Sequence, residues 1–300
     1  MSDTNSLKIA VIIASKGRPF ELGELAKHLT NQTRRADRVI FSVTDDGDLP
    51  DFPVADYGVE VVFGPAGLPA QRNTGMARDA KASDLYVFFD DDYYPETRAL
   101  SQIEAYFLNN PDVDGMNGTL IDDGINGPGL DALESIERLR AFDETADGVD
   151  RNTSKSMMAL YGCNMVFRTS AIADERFDEE LPMYGWQEDI DFCGSLAKNG
   201  AHFTKSNSFY GIHCGVKRAR SPGKKLGYSQ LANPVYMVRK GTMTGKFARR
   251  LVLRNILANH AKAFFPEPWV DRKGRVIGNW IAIKDWLSGK MHPKRILELK

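Results

Sequence analysis

Sulfur is scarce in this chain, and its spacing suggests no pairing. The three cysteines, Cys163, Cys193 and Cys214, are odd in number and show no Cys-x-x-Cys, which argues against a disulfide framework or a structural zinc site. A reducing compartment is expected. Nowhere do ~18 apolar residues run uninterrupted, so no transmembrane helix is expected. Strand-like sequence starts by Leu7 and is read as having no secretory leader ahead of it. The expected location is cytoplasmic. Internal repeats and low-complexity tracts are also lacking.

Acid is missing from one long stretch. From Phe192 to Pro266 there are fourteen Lys or Arg and no Asp or Glu, although the chain as a whole holds 39 basic and 40 acidic residues, a net charge of −1. The other residues thus carry 25 basic against 40 acidic side chains. Such a stretch is expected to meet phosphates or anionic lipid, or to form a solvated basic face on helices. A hydrophobic fraction of 42% and a charged fraction of 26% are ordinary for a globular chain, and 300 residues suffice to bury a core without covalent staples.

The N-terminal half alternates two periodicities. Lys8–Ala14, Arg38–Val43, Val59–Phe63 and Leu85–Phe89 read as buried strands, and Phe20–Leu29 and Pro69–Lys81 as helices. Alternation of this kind predicts an α/β fold with a doubly wound, mainly parallel sheet, whose ligands sit beyond the carboxyl ends of the strands. Further on, Gly115–Leu130 is rich in Gly, Asn and Asp and reads as a loop, and Thr145–Ser156 as a polar, mobile one. Asp131–Phe142 and Glu188–Lys198 read as helices, and Ala159–Arg168, Ala201–Thr204 and Ser208–His213 as strands. From about residue 223 the pattern is helical and basic to the end.

Two acidic groups carry the chemistry. Asp90-Asp91-Asp92 follows five apolar residues. On an extended segment Asp90 and Asp92 project to one side, where two carboxylates suit Mg²⁺ or Mn²⁺ with substrate phosphates as further ligands. His213 ends a predicted strand, and its imidazole suits either Mn²⁺ ligation or a structural role. Glu188, Asp189 and Asp191 fall in the first turn of a predicted helix. Acids there complement the helix dipole, and one of them can serve as a general base. Tyr184 and Trp186 just before it offer flat faces to a sugar.

In order and spacing, VIIASKGRP, SVTDDGD, QRNTG, FFDDDYYP, GCNMVFR and GWQEDIDF resemble the large family of inverting glycosyltransferases of the GT-A fold, which includes cellulose, chitin and hyaluronan synthases. The resemblance spans roughly residues 7–215. It implies that residues 1–222 form the catalytic domain, with the nucleotide-sugar half to about 115 and the acceptor half from 116. Residues 223–300 would be a basic helical extension. It further implies that Ala14, Ser15, Arg18, Asp45, Asp46, Gln71, Arg72, Asn73, Asp90 and Asp91 line the nucleotide-sugar site. Asp90, Asp92 and His213 would hold Mn²⁺ or Mg²⁺, Asp189 would be the base with Glu188 steering the acceptor, and Tyr184 and Trp186 would bind the acceptor. Asp48-Leu49-Pro50 departs from the commoner Ser-x-Asp of the family in the loop after the second strand.

The tail DRKGRVIGNW and IKDWLSGKMHPKRI is similar to the C-termini of bacterial exopolysaccharide glycosyltransferases, which act on polyprenyl-diphosphate-linked sugars at the cytoplasmic face. The expected donor is a UDP- or GDP-type sugar nucleotide, the acceptor a glycan or lipid-linked sugar, and nucleic acid is not expected as a partner. Lys217, Arg218 and Arg220 are expected to help the leaving diphosphate. Within Lys246–Phe265, Phe247, Leu251, Ala258, Ala261 and Phe265 fall near one helical stripe and the cations largely elsewhere, the pattern of a segment lying peripherally on an anionic membrane or of one packed on the core. A nucleotidyltransferase acting on sugar phosphates and an inactive membrane-associated scaffold stay open as alternatives.

Overall fold

The computed structural model describes residues 6–219 and 221–300; Arg220 lies outside them. In chain order the elements are β1 (Ile9–Ala14), α1 (Pro19–Leu29), β2 (Arg38–Val43), β3 (Val59–Phe63), α2 (Leu68–Asp79), β4 (Leu85–Phe89), β5 (Tyr93–Pro95), α3 (Ala99–Asn109), β6 (Gly115–Asp123), α4 (Ala132–Thr145), β7 (Ser154–Met157), β8 (Asn164–Arg168), α5 (Thr169–Ile172), α6 (Glu188–Lys198) and β9 (Phe203–His213). Three long helices follow: α7 (Gly223–Lys240), α8 (Gly245–Lys262) and α9 (Arg272–Leu287).

One sheet in the order β3-β2-β1-β4-β8-β6-β9-β5 runs through the molecule, with β7 also on β9. Strands β3, β2, β1 and β4 are parallel, as are β6 and β9; β8 enters antiparallel between β4 and β6. The alternation within β1 explains why it is apolar throughout. Ile9, Val11 and Ile13 face a core shared with α1, α3 and α4, whereas Ala10 and Ile12 face a second core shared with α2 and α6. Proline at the first turn of α1 and of α2 costs no hydrogen bond there.

Topology brings the carboxyl ends of β1, β2 and β4 to one edge, so Ser15, the Thr44–Asp48 turn and Asp90–Asp92 gather there. Two expectations are corrected. The segment expected as a loop from Gly115 is strand to Asp123, and the two short strands expected around residues 201–213 are one continuous strand, β9. Polar Thr145–Ser156 contains the start of β7. Helices α7 and α9 approach closely because Gly278 has no side chain: a Cβ there would lie 2.0 Å from the Lys224 carbonyl oxygen. Tyr228, Leu231, Ala232 and Ala282 fill the space between these helices. No helix of the described residues is long and apolar enough to cross a membrane.

Candidate active site

The last residue of β9 faces both β5 and β6, His213 lying opposite Tyr93 and Asp123. That register sets an imidazole beside the acidic triplet. His213 Nε2 is 3.4 Å from Asp92 Oδ1, and Nδ1 is 2.8 Å from Asp123 Oδ1. One donor atom each from Asp90, Asp92 and His213 lies within 4.8 Å of the others. Two carboxylates and an imidazole fit Mn²⁺ or Mg²⁺, and Asp123 orients the ring from behind as an outer carboxylate does at many metal sites. Burial disfavours a charged imidazole, but its bonds to Asp123 and Asp92 outweigh that and push His213 up to about 10. The proton stands where a cation would also compensate these acids. Burial alone would raise Asp92; His213, Arg18 and the Val216 N–H, which donates at 2.7 Å, bring it down to about 2.

Asp91 points the other way. Ser15 Oγ donates to it at 2.7 Å and Arg18 Nη1 at 2.7 Å, while burial pushes its pKa up to about 6. The middle acid therefore ties the loop after β1 to the end of β4.

A second group surrounds Arg72 on α2. Its guanidinium lies over the rings of Phe177 and Phe88, at 5.3 and 5.9 Å. It donates to Glu188, to Asp90 Oδ1 at 3.0 Å and to the Gly162 carbonyl at 2.9 Å. Asp189 Oδ2 accepts from the Gly162 N–H at 3.0 Å and Oδ1 from its neighbour Ile190 at 2.9 Å. Three carboxylates, those of Asp90, Glu188 and Asp189, thus crowd one buried cation. Burial pushes Glu188 up to about 8, and Asp189 and Asp90 add to this against the pull of Arg72. Its Oε2 is buried without a hydrogen-bond partner. The loop presenting these acids has left-handed backbone at Met183, Gly185 and Gln187, with φ of 61°, 58° and 72°. For the two non-glycine residues this stores strain of ~1 kcal/mol or more each, a feature that clusters at functional sites.

A cleft of about 380 Å³ collects Arg18, Arg72, Asp90, Asp92, Tyr184, Trp186, Glu188, Asp189 and His213. Tyr184 is half exposed, and Trp186 is partly buried against Ile190 and α7. Ala14 and Ser15, with exposed Asp45 and Asp46, lie along the same sheet edge beyond the cleft lining. Two predicted residues are engaged elsewhere. Gln71 Nε2 clamps the carbonyls of Ser15 and Ser42 at 2.6 and 2.9 Å. Asn73 turns toward the next loop, bonding the Phe177 backbone at 2.9 Å in both directions.

Sequence reasoning missed Asp123, Asn117 and Tyr161. Asp123 stood in an expected loop, and only the strand register gives it a role. Asp48, part of the departure from the family's Ser-x-Asp, also carries structure. It is buried and accepts from the Gly17 and Thr44 N–H groups at 2.6 and 2.8 Å, which shapes the turn bearing Asp45 and Asp46.

No protein-family model matches the chain, and no curated protein matches it by sequence. Solved structures do match in fold. S. aureus TarS 1–349 in complex with UDP-GlcNAc aligns with a TM-score of 0.55 at 16% identity, over 98% of this chain and 84% of that one. GalNAc-T7 with UDP, GalNAc and Mn²⁺ aligns with a TM-score of 0.55 at 12% identity, over 99% of this chain and 57% of that one. The chain therefore has a GT-A-type glycosyltransferase fold, as expected; at such identities the likeness speaks for the fold alone.

Proposed function

We propose that this chain is a metal-dependent, inverting glycosyltransferase of the family that includes cellulose, chitin and hyaluronan synthases. On this reading residues 1–222 form the catalytic unit. It transfers a sugar from a UDP- or GDP-type donor to a hydroxyl of a glycan or lipid-linked acceptor in surface-glycan assembly, working at the cytoplasmic face of a membrane. The observation that carries the reading is the joint presence, in one cleft, of a metal-ligand set and a separate carboxylate whose backbone bonds leave it facing the cleft. UDP and Mn²⁺ bound to proteins of the same fold support it.

Asp90, Asp92 and His213 would hold the cation, which when bound supplies charge neutralisation to the departing diphosphate. Asp189 takes the proton of the acceptor hydroxyl as that oxygen bonds to the anomeric carbon and the bond to the diphosphate oxygen breaks. One displacement inverts the centre. The N–H of Gly162 and the helix start hold the Asp189 carboxylate, and Arg72 fixes Glu188 beside it. Arg18, which lines the cleft beside Asp92, places positive charge close to the diphosphate, whereas Lys217 Nζ donates to the Gly124 and Ile125 carbonyls at 3.0 and 2.8 Å. Incubation with a panel of nucleotide sugars and Mn²⁺ or Mg²⁺, reading release of nucleoside diphosphate, tests the reading. Release of pyrophosphate from a nucleoside triphosphate and a sugar phosphate would replace it with nucleotidyl transfer.

A further inference from the structure

Resting on that reading, we propose that Lys155 and Lys205 form an anion subsite at the acceptor end of the cleft, so that the acceptor carries a phosphate or carboxylate near the hydroxyl that is glycosylated. Strands β7 and β9 are antiparallel in a register that sets Lys155 opposite Lys205 and Met157 opposite Phe203. Residues directly opposite share a face of the sheet. Lys205 and Met157 both line the cleft, so Lys155 stands on that face too.

Like charges set directly opposite each other on neighbouring strands repel. Other cations of the chain are relieved by acids: Arg151 by Glu96, Arg138 by Asp122, Arg98 by Asp147. Neither Lys155 nor Lys205 has a carboxylate within 4.0 Å among the described residues, and both are exposed. An unrelieved pair of ammonium groups facing one opening is suited to an anion. The rest of the cleft decides which anion. His213 of the metal set stands eight residues further along β9 than Lys205, and Arg18 lies against Asp91 and Asp92, so the donor diphosphate has its own cations. The crowded carboxylates of Asp90, Glu188 and Asp189 repel a negative acceptor from that end. An acceptor with its charge held at the lysines and its hydroxyl toward Asp189 satisfies both ends, and the same arrangement fixes its direction in the cleft.

The test uses probes that differ in charge. Oligogalacturonate, its fully methyl-esterified form of equal length and a short polyphosphate chain are titrated calorimetrically into the full-length chain, into K155Q/K205Q and into R249Q/R250Q/R254Q, which alters cations outside the cleft. Wild type should bind at least one anionic probe tenfold or more tighter than the ester, with the preference weakened by salt. K155Q/K205Q should lose it while R249Q/R250Q/R254Q keeps it. The tighter of the two anionic probes tells carboxylate from phosphate. Equal affinity for charged and esterified probes overturns the subsite, as does a preference that survives in K155Q/K205Q or vanishes only in the tail variant. K155E, which places an acid opposite Lys205, serves as a second variant and should also abolish the preference. Donor cleavage by wild type is read separately. A chain that cleaves a nucleotide sugar yet shows no charge preference keeps its function and loses the subsite, and one that cleaves none loses the function whatever it binds.

Discussion

Asp189 accepts two backbone N–H groups and keeps the rest of its carboxylate toward the cleft. Burial raises its pKa somewhat, which suits a base at neutral pH. In Asp189→Asn the amide oxygen can still take the Gly162 N–H, so the fold and nucleotide binding should persist while turnover falls by ~10²–10⁴. Calorimetry with nucleoside diphosphate and a sugar-transfer assay read the two separately; more than a tenth of wild-type turnover would move the role to Glu188. Glu188 itself makes a stability prediction. Its folded value of about 8 lies above the ordinary 4.5. The stability it contributes is therefore full below about 4.5 and is lost as pH rises toward about 8, where the folded protein must give up a proton that the unfolded chain released earlier. Gln resembles the protonated acid and does not titrate. Urea unfolding of wild type and Glu188→Gln should show wild type losing ground between about pH 5 and pH 9, by on the order of a few kcal/mol. A difference that stays flat, or runs the other way, would mean that Arg72 keeps Glu188 ionised.

At the scale of elements, α8 divides the expected apolar stripe between core and solvent. Leu251, expected on the membrane stripe, is buried together with Ala248 and Asn259. Phe247 of the same stripe is exposed, as are Leu253 and Leu257 on the side of Arg250 and Arg254, and beyond the helix Phe264 and Phe265 are exposed as well. On α9, Ile277 and Trp280 are likewise exposed, with Lys273 and Lys284. Trp280 meets His260 of α8 edge-on at 5.9 Å, so the two helices share one apolar and basic face. Such a face should bind anionic vesicles through ~1 kcal/mol per cation near the surface together with interfacial aromatics. Co-sedimentation should be strong with anionic vesicles, absent with neutral ones, weakened by salt and lost in R249Q/R250Q/R254Q. A folded wild type that stays in the supernatant at low salt would make the face an ordinary solvated one. The misread strands have physical causes. Gly118 looks like a loop residue but sits under Phe209, whose ring a Cβ would approach to 2.5 Å; the glycine makes room in a sheet. In β9, Ser206-Asn207-Ser208 interrupts the apolar pattern, yet Ser206 and Ser208 are buried and bonded to each other at 3.0 Å. Local composition revealed the parallel half, whose strands are buried on both faces. It concealed the part of the sheet whose polar residues are satisfied by distant chain, and with it Asp123.

Over the whole molecule, sequence pattern changes near residue 223 but packing crosses that point. Met237, Met243, Ala248 and Leu251 enclose Trp186 and Ile190, and Asn233 Nδ2 donates to the Trp186 carbonyl at 2.8 Å. Lys240 Nζ reaches Asp191 at 2.5 Å and Asp178 at 2.7 Å, and Thr242 Oγ1 donates to Asp191 as well. Asp191 lies in the first turn of α6, two residues beyond Asp189, so the C-terminal helices anchor the element that carries the proposed base. Lys240→Met leaves the Asp191 carboxylate, 1% exposed, without its cation. The cost should be roughly 2 kcal/mol, less than the usual ~3–5 for a broken buried pair because Lys240 is itself partly exposed and Thr242 remains. With Asp191 uncompensated, the start of α6 should shift, and turnover should drop while nucleotide binding at the far sheet edge is kept. Asp191→Asn in the same chain removes the stranded charge. The double variant should therefore regain part of both stability and turnover, a coupling that additive effects cannot produce. Urea unfolding and sugar transfer on the single and double variants measure it. If the double variant is no better than Lys240→Met on both counts, the helices merely cover α6 and do not position it.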